Sequence, residues 1–127
     1  MKPHAHFIAG EWIVGQDSLP NINPSDLSDT VGHYAVGGAA EVDAAVGAAR
    51  HAFAAWSTGG IQARSDALDR IGTEILARRE ELGNLLAREE GKTLPEAIGE
   101  ATRAGHIFKF FAGECLRLSG EVLPSVR

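Results

Sequence analysis

Residues 89–124, EEGKTLPEAIGEATRAGHIFKFFAGECLRLSGEVLP, carry a helix stop, a helix start and an apolar seam in one run, and any fold of this chain has to cover that seam. Gly91 can end a preceding helix in the left-handed conformation at no steric cost, and Thr93 with Glu96 has the Thr-x-x-Glu spacing of a capping box. Pro95 falls in the first turn, where its missing N–H is not needed. Ala97, Ala101, Ala104, Phe108, Phe111, Cys115 and Leu118 then recur at steps of four and three, which predicts one face of a helix ending near Ser119-Gly120.

How much cover is available follows from length. A chain of 127 residues is about one domain and affords one core. Its formal charge of -5, with acidic and basic residues interleaved, argues against a nucleic-acid or anionic-membrane partner. No apolar run approaches the ~20 residues of a membrane span, and MKPHAHFIAGEW lacks a signal-peptide core. Cys115 is the single cysteine, which excludes an internal disulfide and agrees with a reducing compartment, so a cytoplasmic protein is expected.

Ahead of the seam, residues 1–38 read as a β hairpin or short meander. Phe7-Ile8 and Trp12-Ile13-Val14 flank a turn at Ala9-Gly10, and Ile22 and residues 31–36 supply further extended chain between turn formers Pro20, Asn21, Asn23-Pro24 and Ser25-Asp26. Residues 39–120 read as three amphipathic helices. The first carries Val42, Ala45, Val46, Ala49, Phe53 and Trp56 on one face, with Glu41 and Asp43 in its first turn. The second is expected to run from 61 to 90, burying Leu68, Ile71, Ile75, Leu82, Leu85 and Leu86 and turning a charged face that includes Arg64, Asp69 and Arg88 to water. The third is the seam helix. Residues 121–127, with Val122-Leu123, look like the start of a strand.

Motifs that could carry chemistry are few. Gly91-Lys92-Thr93 imitates the end of a phosphate-binding loop, but Leu86 stands where the first glycine of that loop is required. No G-x-G-x-x-G dinucleotide fingerprint occurs, and His4, His6, His33, His51 and His106 have no metal-ligand spacing. Cys115 lies on the apolar seam, where a cysteine behaves as a small hydrophobe rather than a nucleophile. Arg103, His106, Lys109 and Arg117 make a basic strip beside the seam, offset by Glu96, Glu100 and Glu114. Such a strip is either a solvated face or a place where Arg103 grips a carboxylate.

Five short words then occur in one order. Phe7-Ile8-Ala9-Gly10-Glu11-Trp12, Ile22-Asn23-Pro24-Ser25, EVDAAVGAARHAFAAW at 41–56, Glu89-Glu90-Gly91-Lys92-Thr93 with Glu96-Ala97, and Phe110-Phe111-Ala112-Gly113 followed by Gly120-Glu121 resemble the opening motifs of the aldehyde dehydrogenase superfamily. Gly99-Glu100, Arg103-Ala104 and Ile107-Phe108 look closest to its semialdehyde branch, such as α-ketoglutaric or succinic semialdehyde dehydrogenases.

The resemblance implies an α/β parent fold and NAD(P)-dependent oxidation of an aldehyde to a carboxylic acid. It implies that 39–120 pack on a cofactor-binding domain that these residues do not include, within a full-length enzyme that is a homo-oligomer. The family's P-W-N motif, nucleophilic cysteine, general-base glutamate and cofactor motifs are not among these residues. No catalytic, cofactor-binding or metal residue is therefore assigned, and neither NAD nor NADP is expected to bind this chain alone. Arg103 is the one substrate-entrance candidate. The chain is expected to be an N-terminal piece that is scaffold rather than catalyst. Burying Phe108 and Phe111 would contribute roughly 1.5–3 kcal/mol each, so alone it is expected to self-associate or stay partly ordered. The alternatives are a small helical protein-interaction module and a truncated remnant without function.

Overall fold

A computed structural model describes residues 2–120 and 122–125. The chain opens with a hairpin of β1 (His6–Ile8) and β2 (Glu11–Ile13), antiparallel with Phe7 opposite Trp12. Ala9 and Gly10 form its turn with φ of 55° and 86°, the two positive values a tight two-residue hairpin needs. The Phe7 and Trp12 rings sit 4.9 Å apart. A second hairpin pairs β3 (Ser18–Ile22) with β4 (Thr30–Ala35), with a register shift between Asn21 and Ile22. Pro20 is tolerated because a two-stranded sheet leaves an outer edge where no N–H is required.

Four helices follow: α1 (Ala39–Thr58), α2 (Ile61–Ala77), α3 (Arg79–Glu90) and α4 (Leu94–Cys115). The expected single helix over 61–90 is thus two helices, broken at Arg78, whose backbone leaves the helical region at φ -106° and ψ 17°. Neither glycine nor proline lies there, so the cause is tertiary. α2 and α3 both pack on α4, and the packing has two points of closest approach. A methyl group at Gly72 would lie 2.9 Å from the Gly105 carbonyl oxygen, and one at Gly83 would lie 2.6 Å from Ile98 Cγ1. Gly72 and Gly83 are about 16 Å apart along an ideal helix, whereas their partners Gly105 and Ile98 are about 10 Å apart. The break at Arg78 takes up that mismatch.

The same approach buries the expected seam at Ala97 and Ala101 and shifts it beyond them. Buried on α4 are Ala97, Ala101, Gly105 and Ala112, facing Ser65, Gly72 and Gly83. Phe108, Ala104 and Cys115 are half-buried at the margin, and Phe111 and Leu118 are exposed. Leu68, Ile75, Leu82 and Leu86 are likewise only half-buried, while Ile71 and Leu85 are exposed. Small residues make the contact because backbones this close leave no room for large ones, which then line the flanks.

α1 has no buried residue, and its main contact is with β1. Val42, Val46, Phe53 and Trp56 stand exposed along it, as do Phe7 and Trp12 on the first hairpin. Gly38 N–H donates to Glu41 Oε2 at 2.7 Å and so starts the helix, and Arg64 Nη2 closes its far end by donating to the carbonyls of Trp56, Ser57 and Gly59. Among the described residues no helix is long and apolar enough to cross a membrane. Val122 to Ser125 form no ladder, and Glu121, Val126 and Arg127, on which part of the expected terminal strand falls, lie outside the described residues.

The glycines divide by what surrounds them. Gly83→Ala is expected to lower stability by about 1–3 kcal/mol through overpacking against Ile98. Gly47→Ala on α1, where an added methyl meets nothing within 4 Å, is expected to raise it by up to about 1 kcal/mol. Thermal denaturation followed by circular dichroism checks both; effects of the same sign would contradict the packing described.

Candidate functional site at the turn between α3 and α4

Gly91 ends α3 at φ 70°, its N–H donating to the Ala87 carbonyl at 2.9 Å. Its lack of a side chain serves a second purpose, since a methyl there would lie 2.8 Å from both Pro24 Cγ and Ser25 Oγ. The loop joining β3 to β4 therefore sits directly on this turn. Within the loop Asn23 Oδ1 accepts the Ser25 N–H, and Asn23 N–H donates to the Asp29 carbonyl. Ser25 Oγ donates to the Gly91 carbonyl at 3.0 Å, and Asn21 Nδ2 donates to Glu89 Oε1 at 2.9 Å.

The strongest link is a bidentate ion pair. Arg88 Nε and Nη2 donate to Asp29 Oδ2 and Oδ1 at 2.8 and 2.6 Å, and Asn23 Nδ2 adds a third hydrogen bond at 3.1 Å. The Arg88 hydrogen bonds, with that of Asn23, hold the Asp29 carboxyl down at about 2. The words Asn23-Pro24-Ser25 and Glu89-Glu90-Gly91-Lys92, far apart in sequence, are thus the two halves of one clamp. Sequence reasoning placed Arg88 on a solvated face and left Asp29 unremarked. Asp29 and Arg88 are 59 residues apart, and nothing local to either marks the other as its partner.

One turn on, Lys92 Nζ lies 2.7 Å from Glu100 Oε1 and 2.6 Å from Glu90 Oε2, which raise its pKa, Glu100 more than Glu90. Lys92 is therefore engaged by carboxylates and is not presented to an anion. The expected capping box forms in half. Thr93 does not cap the helix with its side chain; its hydroxyl donates instead to Glu96 Oε2 at 2.6 Å, and the Thr93 hydroxyl and backbone lower the Glu96 pKa. Arg103 is exposed on the next turns of α4, and its side chain makes no hydrogen bond or ion pair among the described residues. Lys109 of the basic strip crosses to Asp69 and Thr73 of α2, 2.7 Å from Asp69 Oδ1. Cys115 is a free, half-buried thiol at the end of α4.

Chemically this arrangement is a scaffold junction, beside which Arg103 is uncommitted, as Arg50 on α1 and Arg70 on α2 also are among the described residues. Among the described residues no group of His, Cys, Asp and Glu could hold a metal ion. The described residues form two antiparallel strand pairs, with one isolated parallel bridge between His4 and Tyr34. His4 is spent on a stack with Tyr34 at 4.8 Å.

Because the Asp29 pKa is lowered from 3.8, its contribution to stability is present above that value and is lost as the pH falls through about 2. Asp29→Asn is expected to reduce stability at neutral pH and to make the acid-induced loss shallower, read by urea denaturation at a series of pH values. An unchanged acid limb would contradict the clamp.

Comparison with known proteins places this geometry. The sequence pattern described as the aldehyde dehydrogenase family matches residues 12–127. The α-ketoglutaric semialdehyde dehydrogenase of Bacillus subtilis is 39% identical over 96% of this chain and 25% of its own length. The mitochondrial succinate-semialdehyde dehydrogenase of Arabidopsis thaliana is 31% identical over 92% of this chain and 22% of its own. A NAD-dependent benzaldehyde dehydrogenase from Corynebacterium glutamicum superposes with a TM-score of 0.90 at 32% identity, covering 100% of this chain and 28% of that one. The chain spans about a quarter of the length of the relatives it matches.

Proposed function

The chain belongs to the aldehyde dehydrogenase family, and on that premise we propose that residues 1–127 are the N-terminal scaffold of an NAD(P)-dependent semialdehyde dehydrogenase. The substrate class is an aldehyde carrying a carboxylate at its far end, which the enzyme oxidises to the carboxylic acid. Such an oxidation passes a hydride from the aldehyde carbon to NAD(P), and no residue described here is assigned a part in that transfer.

Two features of this segment support the reading. The exposed apolar face of α1 and the exposed Phe110 and Phe111 on α4 are surfaces that the remainder of such a fold would cover. The observation that carries the substrate class is Arg103, an exposed guanidinium on α4 without a partner among the described residues. A guanidinium in a substrate entrance binds a carboxylate through two parallel N–H donors, which a lysine cannot reproduce. We take the complete enzyme to be a cytoplasmic homo-oligomer, with uncovered strands and helix faces buried by the rest of the fold and by further subunits.

The 127-residue chain incubated with succinic semialdehyde and NAD⁺ or NADP⁺ is expected to form no reduced cofactor, whereas the complete enzyme containing it does. In that enzyme Arg103→Ala is expected to lower the preference for succinic semialdehyde over an uncharged aldehyde of similar length by roughly 10- to 100-fold, the scale of a lost charge-assisted hydrogen bond. Turnover by the chain alone, or an unchanged preference, would contradict the proposal.

A further inference from the structure

Arg103 stands unpaired although Glu100, three residues before it, is within reach on the same helix; Glu96, seven residues before it, is not. Each glutamate is occupied elsewhere. Glu96 Oε2 takes the Thr93 hydroxyl at 2.6 Å, and Glu100 Oε1 takes Lys92 Nζ at 2.7 Å. The residue one turn before Arg103 is Gly99, where an added methyl would meet nothing within 4 Å, so that the Arg103 side chain does not pack down on it. Glycine in mid-helix is unfavourable. Gly72, Gly83 and Gly105 each have a contact of 2.6–2.9 Å to account for them, whereas Gly99, like Gly47 on α1, has none in this chain.

From this we infer that Lys92 is a positioning residue: by drawing Glu100 away it keeps Arg103 unpaired, ready for a substrate carboxylate. The inference rests on the proposed role of Arg103 and adds the device that keeps that arginine available. Its chemistry is a competition between two anions for one guanidinium. Without Lys92 the Glu100 carboxylate is free to swing to Arg103, and the substrate then has to displace it.

The test is a double-mutant cycle in the complete enzyme. Lys92→Met is expected to raise KM for succinic semialdehyde roughly two- to five-fold with little change in kcat, the scale of an exposed ion pair at this spacing. Adding Glu100→Gln to Lys92→Met is expected to return KM to its original value, because the competing charge is gone. A loss of structure at Lys92 would not be repaired by that second change, and thermal denaturation of both variants reads it separately. A KM unaffected by Lys92→Met, or raised and not rescued by Glu100→Gln, overturns the inference. If Arg103→Ala leaves the preference for succinic semialdehyde intact, the underlying reading of Arg103 fails instead; if Arg103→Ala removes the preference while the cycle is flat, only the Lys92 device fails.

Discussion

The close approach of α4 to the broken pair α2 and α3 is the constraint from which the rest of this structure follows. At Gly72 against Gly105, and at Gly83 against Ile98, backbones meet where no side chain fits. That contact fixes the break at Arg78 and gives the small buried stripe of Ala97, Ala101, Gly105 and Ala112. It also pushes the large apolar residues outward to the flanks. A helical unit built this way is held mainly by van der Waals contact between close backbones, and it leaves much of its apolar surface for another body.

Polar links attach the second hairpin to that unit. Asp29 with Arg88, Asn21 with Glu89 and Ser25 with the Gly91 carbonyl all converge on the turn that begins α4. The consequence for function lies along the same helix. The turn that receives the loop also sets Lys92 between Glu90 and Glu100, so the geometry of the clamp and the freedom of Arg103 meet within a few residues. The first hairpin and α1 take no part in this network and have little contact with the rest, their apolar residues being outward.

Much of this was legible in the sequence because it is local. The Ala9-Gly10 turn, the stop at Gly91, the start at Leu94 and the amphipathic pattern of α1 are written in a few adjacent residues each. The family resemblance, carried by five short words, is matched over residues 12–127. What sequence could not show depends on pairs distant along the chain. The hydrophobic period placed the seam through Ala97 and Ala101, which are buried, but also through Phe111 and Leu118, which are exposed; closeness of approach selected Gly105 and Ala112 in their place. The break at Arg78 has no local signal, and Arg88 looks like any other surface charge until Asp29 is brought to it.

Central to this account is an uneven molecule, in which α2, α3 and α4 hold together by themselves and α1 awaits cover. Amide hydrogen exchange on the 127-residue chain, read by peptide mass, tests this most directly. The expected result is slow exchange across α2 and α4 and fast exchange throughout α1. Equal protection of α1 and α4 would contradict it.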